Sequence, residues 1–69
     1  MNTFGEKLSF YRKQSGLSVE ELALKARIGK NTLEQYESGK QIPTMQTILK
    51  LSTVLDVAAE VFLDALKQK

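Results

Sequence analysis

Short helical segments separated by glycine and proline are the feature of this 69-residue sequence that most limits its fold. Three glycines and the single proline stand between the segments, at Gly16, Gly29, Gly39 and Pro43. Glycine readily adopts the left-handed conformation that ends helices, and proline cannot continue a helix. No segment alternates between apolar and polar residues over four or more positions, which is the pattern of a half-buried strand. The sequence therefore predicts an all-α protein.

Apolar residues recur at helical spacing between these breaks. Phe4, Leu8 and Tyr11 form one stripe of a first helix. Ser18 and Glu21 have the spacing of a capping box, in which each residue accepts a hydrogen bond from the backbone amide of the other. Five helices are predicted in this way: about residues 3–15, 19–26 and 30–38, a fourth from a Thr44 cap to a break near 56–57, and a fifth over about 58–66.

The residue types that are missing exclude several classes of function. The sequence contains neither Cys nor His, so disulfides, Cys-ligated zinc and the commonest general base are absent. The Ser, Thr, Glu and Lys residues form no spaced catalytic constellation. No apolar run reaches the roughly 18–20 residues that span a bilayer, and the N-terminus lacks the order of a signal peptide. We expect a non-enzymatic cytoplasmic protein of one domain, residues 1–69, without metal, cofactor, small-molecule substrate or membrane partner.

Charge is distributed unevenly along the chain. Residues 1–50 carry eight Lys and Arg against five acidic residues, a net charge of +3. Residues 51–69 carry two Lys against three acidic residues, a net charge of −1. A basic surface on the first part of the chain suits a polyanionic partner, although ordinary solvated charge explains the same counts equally well.

The second and third predicted helices, about residues 19–38, have the properties of a helix-turn-helix motif. Two helices that cross closely need a small residue at the crossing, and Ala23 meets that need. Ile28 fills the turn between the helices, and Leu33 and Tyr36 anchor the third helix to the core.

This part of the chain resembles the phage-repressor and Cro-like (XRE-type) helix-turn-helix family. The resemblance rests on Gly16-Leu17-Ser18, Glu21-Leu22-Ala23, Ala26, Ile28, Thr32-Leu33, Tyr36-Glu37-Ser38-Gly39-Lys40 and Pro43. The closing residues Leu51, Leu55-Asp56-Val57 and Phe62-Leu63 are similar to the last two helices of that family. The resemblance covers about residues 4–63. It implies a compact five-helix bundle, a lambda-repressor-like DNA-binding domain whose third helix enters the major groove of double-stranded DNA.

The outer face of the third helix carries the candidate base-reading residues. With Leu33 and Tyr36 turned inward, four polar residues share the opposite side, within about 140° of one another. Lys can donate to guanine, and Asn or Gln can pair with adenine. By resemblance to the family, the base-reading candidates are Lys30, Asn31, Glu34 and Gln35. A solvated helix face is the alternative. The carboxylate of Glu34 would be repelled by DNA phosphates. Glu34 either accepts a hydrogen bond from cytosine or orients Lys30 one helical turn earlier, and we favour the second role.

The resemblance also implies residues that position the DNA backbone. Lys40 matches a phosphate-facing position of the family, with a free loop lysine as the alternative. Thr32, in the first turn of the third helix, is a further phosphate candidate. Arg12 and Glu37 match a family ion pair that joins the first helix to the third, and we expect Arg12 to lie close enough to contact a phosphate as well.

Several residues depart from the family pattern. Arg27 stands in the turn where glycine is usual, and a left-handed conformation there would cost about 1 kcal/mol. Gly29 replaces a capping Ser. The alternative to the usual family geometry is therefore a shifted turn and a changed angle of the third helix. Val19 replaces a Gln that contacts phosphate, and Gln41-Ile42 lacks an Arg that could enter the minor groove.

Apolar residues outside the predicted core suggest that the chain forms a homodimer. Leu49, Val61 and Leu66 are predicted to form a dimer interface on the last two helices, with packing under the C-terminal tail as the alternative. A twofold dimer would separate two recognition helices by about 34 Å, one turn of DNA. Phe10 lies on the polar side of the first helix, where it contacts either the fifth helix or another chain.

Two functions from different classes remain open. The leading prediction is a sequence-specific transcriptional regulator, a repressor that binds a palindromic operator as a dimer. The alternative is a protein-interaction module of the same fold, with an antitoxin, anti-repressor or dimerisation role and weak DNA affinity. The modest charge, Glu34 and Val19 favour the alternative. An enzyme has the least support.

Overall fold

Five α-helices account for most of residues 3–67, the part of the chain that the computed structural model describes; side chains are described for residues 3–66. The helices are α1 (Phe4–Gln14), α2 (Val19–Ala26), α3 (Lys30–Ser38), α4 (Met45–Leu55) and α5 (Ala59–Lys67). No strand occurs between residues 3 and 67, which confirms the predicted all-α, five-helix class. The predicted domain limits, residues 1 and 69, lie outside the described residues.

Hydroxyl-bearing residues begin three of the helices. Ser18 and Glu21 form the predicted capping box, with hydrogen bonds of 2.8 and 3.1 Å. Thr3 and Glu6 form a second capping box before α1, which the sequence analysis did not identify although the spacing is the same. As a result α1 begins one residue later than predicted. Thr44 caps α4, as expected.

Residues in the left-handed conformation end three helices. Arg27, Gly39 and Asp56 follow α2, α3 and α4 with φ angles of 58°, 84° and 57°. Only one of these is a glycine, so the other two positions carry the steric cost of a Cβ in this conformation, about 1–2 kcal/mol for an ordinary residue. The turn after α2 therefore keeps the geometry that glycine would allow, even though it holds Arg27.

One apolar cluster joins all five helices. The α1 helix contacts α3 and α5, α2 contacts α3 and α4, and α4 also contacts α5. The rings of Phe4 and Tyr11 pack edge-on against Phe62 of α5, with centroid separations of 5.5 and 6.1 Å. Among the side chains of residues 3–66, six are almost completely buried: Leu8, Leu22, Leu33, Ile48, Leu51 and Phe62.

Gly5 allows α1 to lie directly against the end of α3. A Cβ atom at this position would lie 2.8 Å from the carbonyl oxygen of Tyr36, and it would also overlap the carbonyl oxygen of Glu37. Both neighbours are backbone atoms, so they cannot move aside as a flexible side chain would. The orientation of α3 relative to α1 thus depends on a residue without a side chain.

Within residues 3–67, none of the helices combines the length and the apolar character needed to cross a lipid bilayer.

Candidate nucleic-acid interface

The α3 helix has one buried and one exposed side. Leu33 is fully buried and Tyr36 is 6% exposed, so these two residues hold the helix in the core. The four predicted base-reading residues are all exposed on the other side: Lys30, Asn31, Glu34 and Gln35. The structure therefore brings them together on one helix face that is open to a partner.

A tight turn joins α2 to α3. The backbone amide of Ile28 donates to the carbonyl of Ala23 over 2.9 Å, and the amide of Arg27 donates to Leu24 over 3.2 Å. Ala23 is buried, and Ile28 is half-buried against the core. Gly29 caps α3 without a side-chain hydrogen bond. The first amides of α3 are therefore not occupied by a cap and can bind an anion at the positive end of the helix.

Arg12 and Glu37 connect α1 to α3 through two contacts. Arg12 Nε lies 2.7 Å from Glu37 Oε2, and Arg12 Nη2 lies 3.2 Å from Glu37 Oε1. Arg12 Nη1 also donates to the carbonyl of Leu17 over 2.8 Å. The two side chains are only 11% and 13% exposed. All three guanidinium nitrogens thus have protein partners, so a phosphate contact by Arg12 would compete with them.

Lys30 is held by Glu20 of α2, not by Glu34. Lys30 Nζ lies 3.4 Å from Glu20 Oε2, with both side chains at least half exposed. Among the described side chains Glu34 takes part in no ion pair, so the favoured role of orienting Lys30 is corrected in favour of Glu20. Helical spacing could not reveal this pair because it joins two different helices. An exposed pair contributes at most about 1 kcal/mol, so Lys30 can leave it readily.

Two of the three predicted phosphate-positioning residues, Thr32 and Lys40, lie at the two ends of α3. Thr32 is half-buried in the first turn, near Gly29. Lys40 is exposed just beyond the helix, and its backbone amide donates to Gln35 over 2.9 Å. Two exposed cations, Lys30 and Lys40, and two exposed carboxylates, Glu20 and Glu34, together carry no net charge. Affinity for a polyanion would then depend on hydrogen bonds as much as on long-range attraction.

The three predicted dimer residues have different neighbours. Leu49 is 48% exposed and lines a groove between α2 and α4. Val61 is half-buried, and its carbonyl accepts a hydrogen bond from Lys7 of α1. Leu66 is half-buried against the core. Each of the three residues thus has its own neighbours within the chain, and a dimer interface formed by them stays a prediction.

Other exposed apolar side chains were missed by the sequence analysis. Leu24, Ile42 and Met45 are more than half exposed on α2, on the loop after α3 and at the start of α4. Helical periodicity identifies the buried stripe of a helix, and these residues lie outside those stripes. Phe10 is 54% exposed and packs edge-on against Tyr11, its neighbour on the same helix.

No group of three Asp, Glu, His or Cys residues that could hold a metal ion occurs in the part of the chain that the structure describes. The exposed face of α3 offers hydrogen-bond donors and acceptors, and a helix terminus that attracts anions. These are means of recognising a surface, and they provide no nucleophile paired with a base.

Two short helices joined by a tight turn, with a polar outer face on the second, define a helix-turn-helix protein. Residues 8–62 match the model of a protein family described as Helix-turn-helix, and the chain belongs to this family. The match confirms the resemblance noted in the sequence, and the prediction of a non-enzymatic protein agrees with a relative of this chain that is a transcriptional regulator.

The chain is similar in sequence to a bacterial transcriptional regulator. It is 41% identical over 61 residues to the HTH-type transcriptional regulator SinR of Bacillus subtilis, a match that covers 87% of this chain and 55% of SinR. The chain thus spans about half the length of this relative.

Solved structures share the same arrangement of helices. A crystal structure of SinR, the master regulator for biofilm formation, in complex with DNA superimposes with a TM-score of 0.86 at 40% identity, covering 90% of this chain and all of that one. The restriction-modification controller protein C.AhdI from Aeromonas hydrophila gives a TM-score of 0.82 at 32% identity, covering 86% of this chain and 89% of that one.

Proposed function

We propose that this chain is a sequence-specific DNA-binding transcriptional regulator that inserts α3 into the major groove. The observation that carries the proposal is the exposed polar face of α3, which buried Leu33 and Tyr36 hold outward from the core. The similarity to SinR, which has been crystallised with DNA, supports the same use of the fold here.

The exposed face supplies complementary groups for base edges. Lys30 donates to guanine O6 or N7, whereas Asn31 and Gln35 pair with adenine. Glu34 accepts from the amino group of cytosine, a role favoured by its lack of an ion pair with Lys30. Thr32, Lys40 and the first amides of α3 contact the sugar-phosphate backbone and fix the register of the helix.

Arg12 supports this function mainly by holding α3 in position. Its guanidinium group holds Glu37, and so holds α3 against α1, with three hydrogen bonds to the protein. The helix that reads bases is thereby kept at one angle to the rest of the bundle. A rigid support of this kind limits the entropy lost on binding.

We further propose that the protein is a cytoplasmic repressor that binds a palindromic operator as a homodimer, with residues 1–69 forming one DNA-binding domain. Two copies related by a twofold axis would place two α3 helices about 34 Å apart, in successive major grooves. Half-exposed Leu49 supports an apolar contact between copies that leaves α3 free.

A protein-interaction module is the second candidate. The balance of Lys30 and Lys40 against Glu20 and Glu34 favours it, because weak net charge gives weak nonspecific affinity for DNA. Val19 favours it as well: at the start of α2 it packs against the core and offers no hydrogen bond to phosphate. Capture of one protein partner, without any DNA binding at low salt, would support this candidate.

Selection of bound duplexes from a random DNA pool tests the proposal. We expect an enriched inverted repeat with half-site centres about 10 base pairs apart. Gln35→Ala should weaken binding to the selected site by about 1–3 kcal/mol and relax the preference at one base pair. Gln14→Ala, at an exposed position at the end of α1, is the matched control and should leave the preference unchanged. A pool without enrichment would overturn the proposal.

A further inference from the structure

A groove of about 390 Å³ lies between α2 and α4, outside the face that α3 presents. Its apolar lining comes from Ala26, Leu49 and Val54, and its charged lining is cationic: Lys25, Arg27 and Lys50. Among the residues that the structure describes, no acidic residue lines it. The groove thus joins an apolar surface to a concentrated positive charge.

The charge of the groove exceeds that of the whole protein. Three cations give the lining a formal charge of +3, whereas the full chain has a net charge of +2. The formal charges of all other residues therefore sum to −1. A surface that binds in this groove should combine apolar side chains with carboxylates. A cationic surface would be repelled by the groove, and a partner with negative charge alone would leave the apolar lining uncovered.

The α5 helix has this chemistry. Glu60 and Asp64 are exposed and one helical turn apart, so they share one side of the helix. Val61 is half-buried beside Glu60. This helix is also in the acidic part of the chain, since residues 51–69 have a net charge of −1.

The groove and α5 flank the same helix. The α4 helix contacts α2 and also contacts α5, so that α2, α4 and α5 are consecutive neighbours in the bundle. A twofold axis close to α4 can therefore bring the α5 of each copy to the groove of the other. None of the predicted base-reading residues lines the groove, so α3 stays available to another partner.

We propose that the groove between α2 and α4 binds α5 of a second copy of this chain, and that the second copy returns the same contact. The contact pairs Lys50 and Lys25 of one copy with Asp64 and Glu60 of the other, around an apolar centre formed by Leu49 and Val61. The inference depends on the dimer of the proposed function and specifies its interface. Stable dimers bury about 800 Å² per partner, roughly a sixth of the 4595 Å² surface of the described chain.

A charge exchange between two variants tests the contact. Lys50→Glu and Asp64→Lys should each raise the dimer dissociation constant by about tenfold, because each reversal turns two symmetric attractions into repulsions. An equimolar mixture should recover wild-type affinity. In the mixed dimer one contact keeps the native pair, and the other holds the same pair with its charges exchanged. Sedimentation equilibrium without DNA measures these constants, and Lys13→Glu, an exposed reversal on α1, should have no effect.

Cysteine cross-linking gives a second readout that does not require a tight dimer. The natural chain has no Cys, so Leu49→Cys mixed with Val61→Cys should form one heterodimeric disulfide on oxidation. Leu49→Cys mixed with Lys13→Cys should not. The inference is overturned if the mixed charge variants remain as weak as the separate ones, or if the two cysteine pairs cross-link equally.

DNA binding distinguishes failure of this interface from failure of the proposed function. Binding of one monomer to an isolated half-site requires α3 and does not require the groove. Retained half-site binding without charge rescue would overturn the interface alone. If Lys50→Glu weakens half-site binding more than Lys13→Glu does, while dimerisation is unchanged, the groove belongs to the DNA-binding surface and the inference is overturned.

Discussion

Arg12 of α1 and Glu37 of α3 form a two-point ion pair that spans 25 residues of sequence, with its shorter contact at 2.7 Å. A third hydrogen bond joins the same guanidinium to Leu17, in the loop before α2. One side chain therefore links α1, α3 and the segment that leads into the helix-turn-helix. Planar guanidinium and carboxylate groups pair in a fixed orientation, so this contact sets an angle between helices as well as a distance.

Loss of one partner from this pair should be costly. Arg12→Ala is expected to lower the free energy of unfolding by about 2–3 kcal/mol, because Glu37 would keep a nearly buried charge without its partner. Arg12→Lys should recover only part of the loss, since an ammonium group cannot reproduce the two-point contact. Urea unfolding measures both, and Lys13→Ala at the exposed neighbouring position is the control. Equal stability of Arg12→Ala and Lys13→Ala would contradict this account.

Substitution of Gly5 should separate α1 from α3. The added methyl group in Gly5→Ala would overlap the carbonyl oxygens of Tyr36 and Glu37, and we expect a loss of about 1–3 kcal/mol from overpacking. Lys13→Ala, at an exposed position of the same helix, is the control, because alanine at Gly29 would itself weaken the cap of α3. Thermal unfolding of the two variants should therefore differ clearly. A normal melting temperature for Gly5→Ala would show that the helices do not approach this closely.

Replacing Arg27, which adopts the left-handed conformation in the turn, with glycine should stabilise the protein. Arg27 has a φ angle of 58° without the conformational freedom of glycine. Arg27→Gly should raise the free energy of unfolding by about 1 kcal/mol, whereas Arg27→Ala should not, because alanine keeps the Cβ. Denaturant titration at a concentration where the chain is monomeric isolates this backbone effect. Stabilisation by both substitutions would instead implicate the charge of the side chain.

Removal of the Glu20 carboxylate should make DNA binding tighter and less selective. Glu20→Gln leaves Lys30 without its 3.4 Å partner and removes one negative charge next to the proposed DNA-binding face. We expect affinity for unrelated duplexes to rise by about two- to fivefold, in keeping with a weak, exposed ion pair. Fluorescence anisotropy measures the change. The same substitution in a Lys30→Ala background should have a smaller effect, and an equal effect would mean that Glu20 acts independently of Lys30.

Local signals account for the parts of the fold that the sequence predicted well. The observed limits of α2 and α3 agree with the prediction because Ser18, Gly29 and Gly39 mark their ends through bonds or conformations within a few residues. The exposed face of α3 follows from the positions of Leu33 and Tyr36 in one helix. Helical periodicity is sufficient for such features because each depends on neighbours along the chain.

Features that join separate segments were predicted less completely. The contact of Gly5 with the end of α3 depends on how two helices meet, and its sequence neighbours carry no sign of it. The pairing of Lys30 with Glu20 likewise depends on the angle between α2 and α3. The neighbours of Leu49, Val61 and Leu66 within the chain likewise do not follow from their positions in the sequence. Tertiary packing decides all three.

The most direct test of the central claim is a titration of one selected duplex and one scrambled duplex, each at several salt concentrations. If α3 reads bases in the major groove, the selected duplex should bind at least roughly a thousandfold more tightly, and affinity for both should fall as salt increases. Equal affinity for the two duplexes, or affinity that does not change with salt, would contradict the claim that this face of α3 recognises DNA.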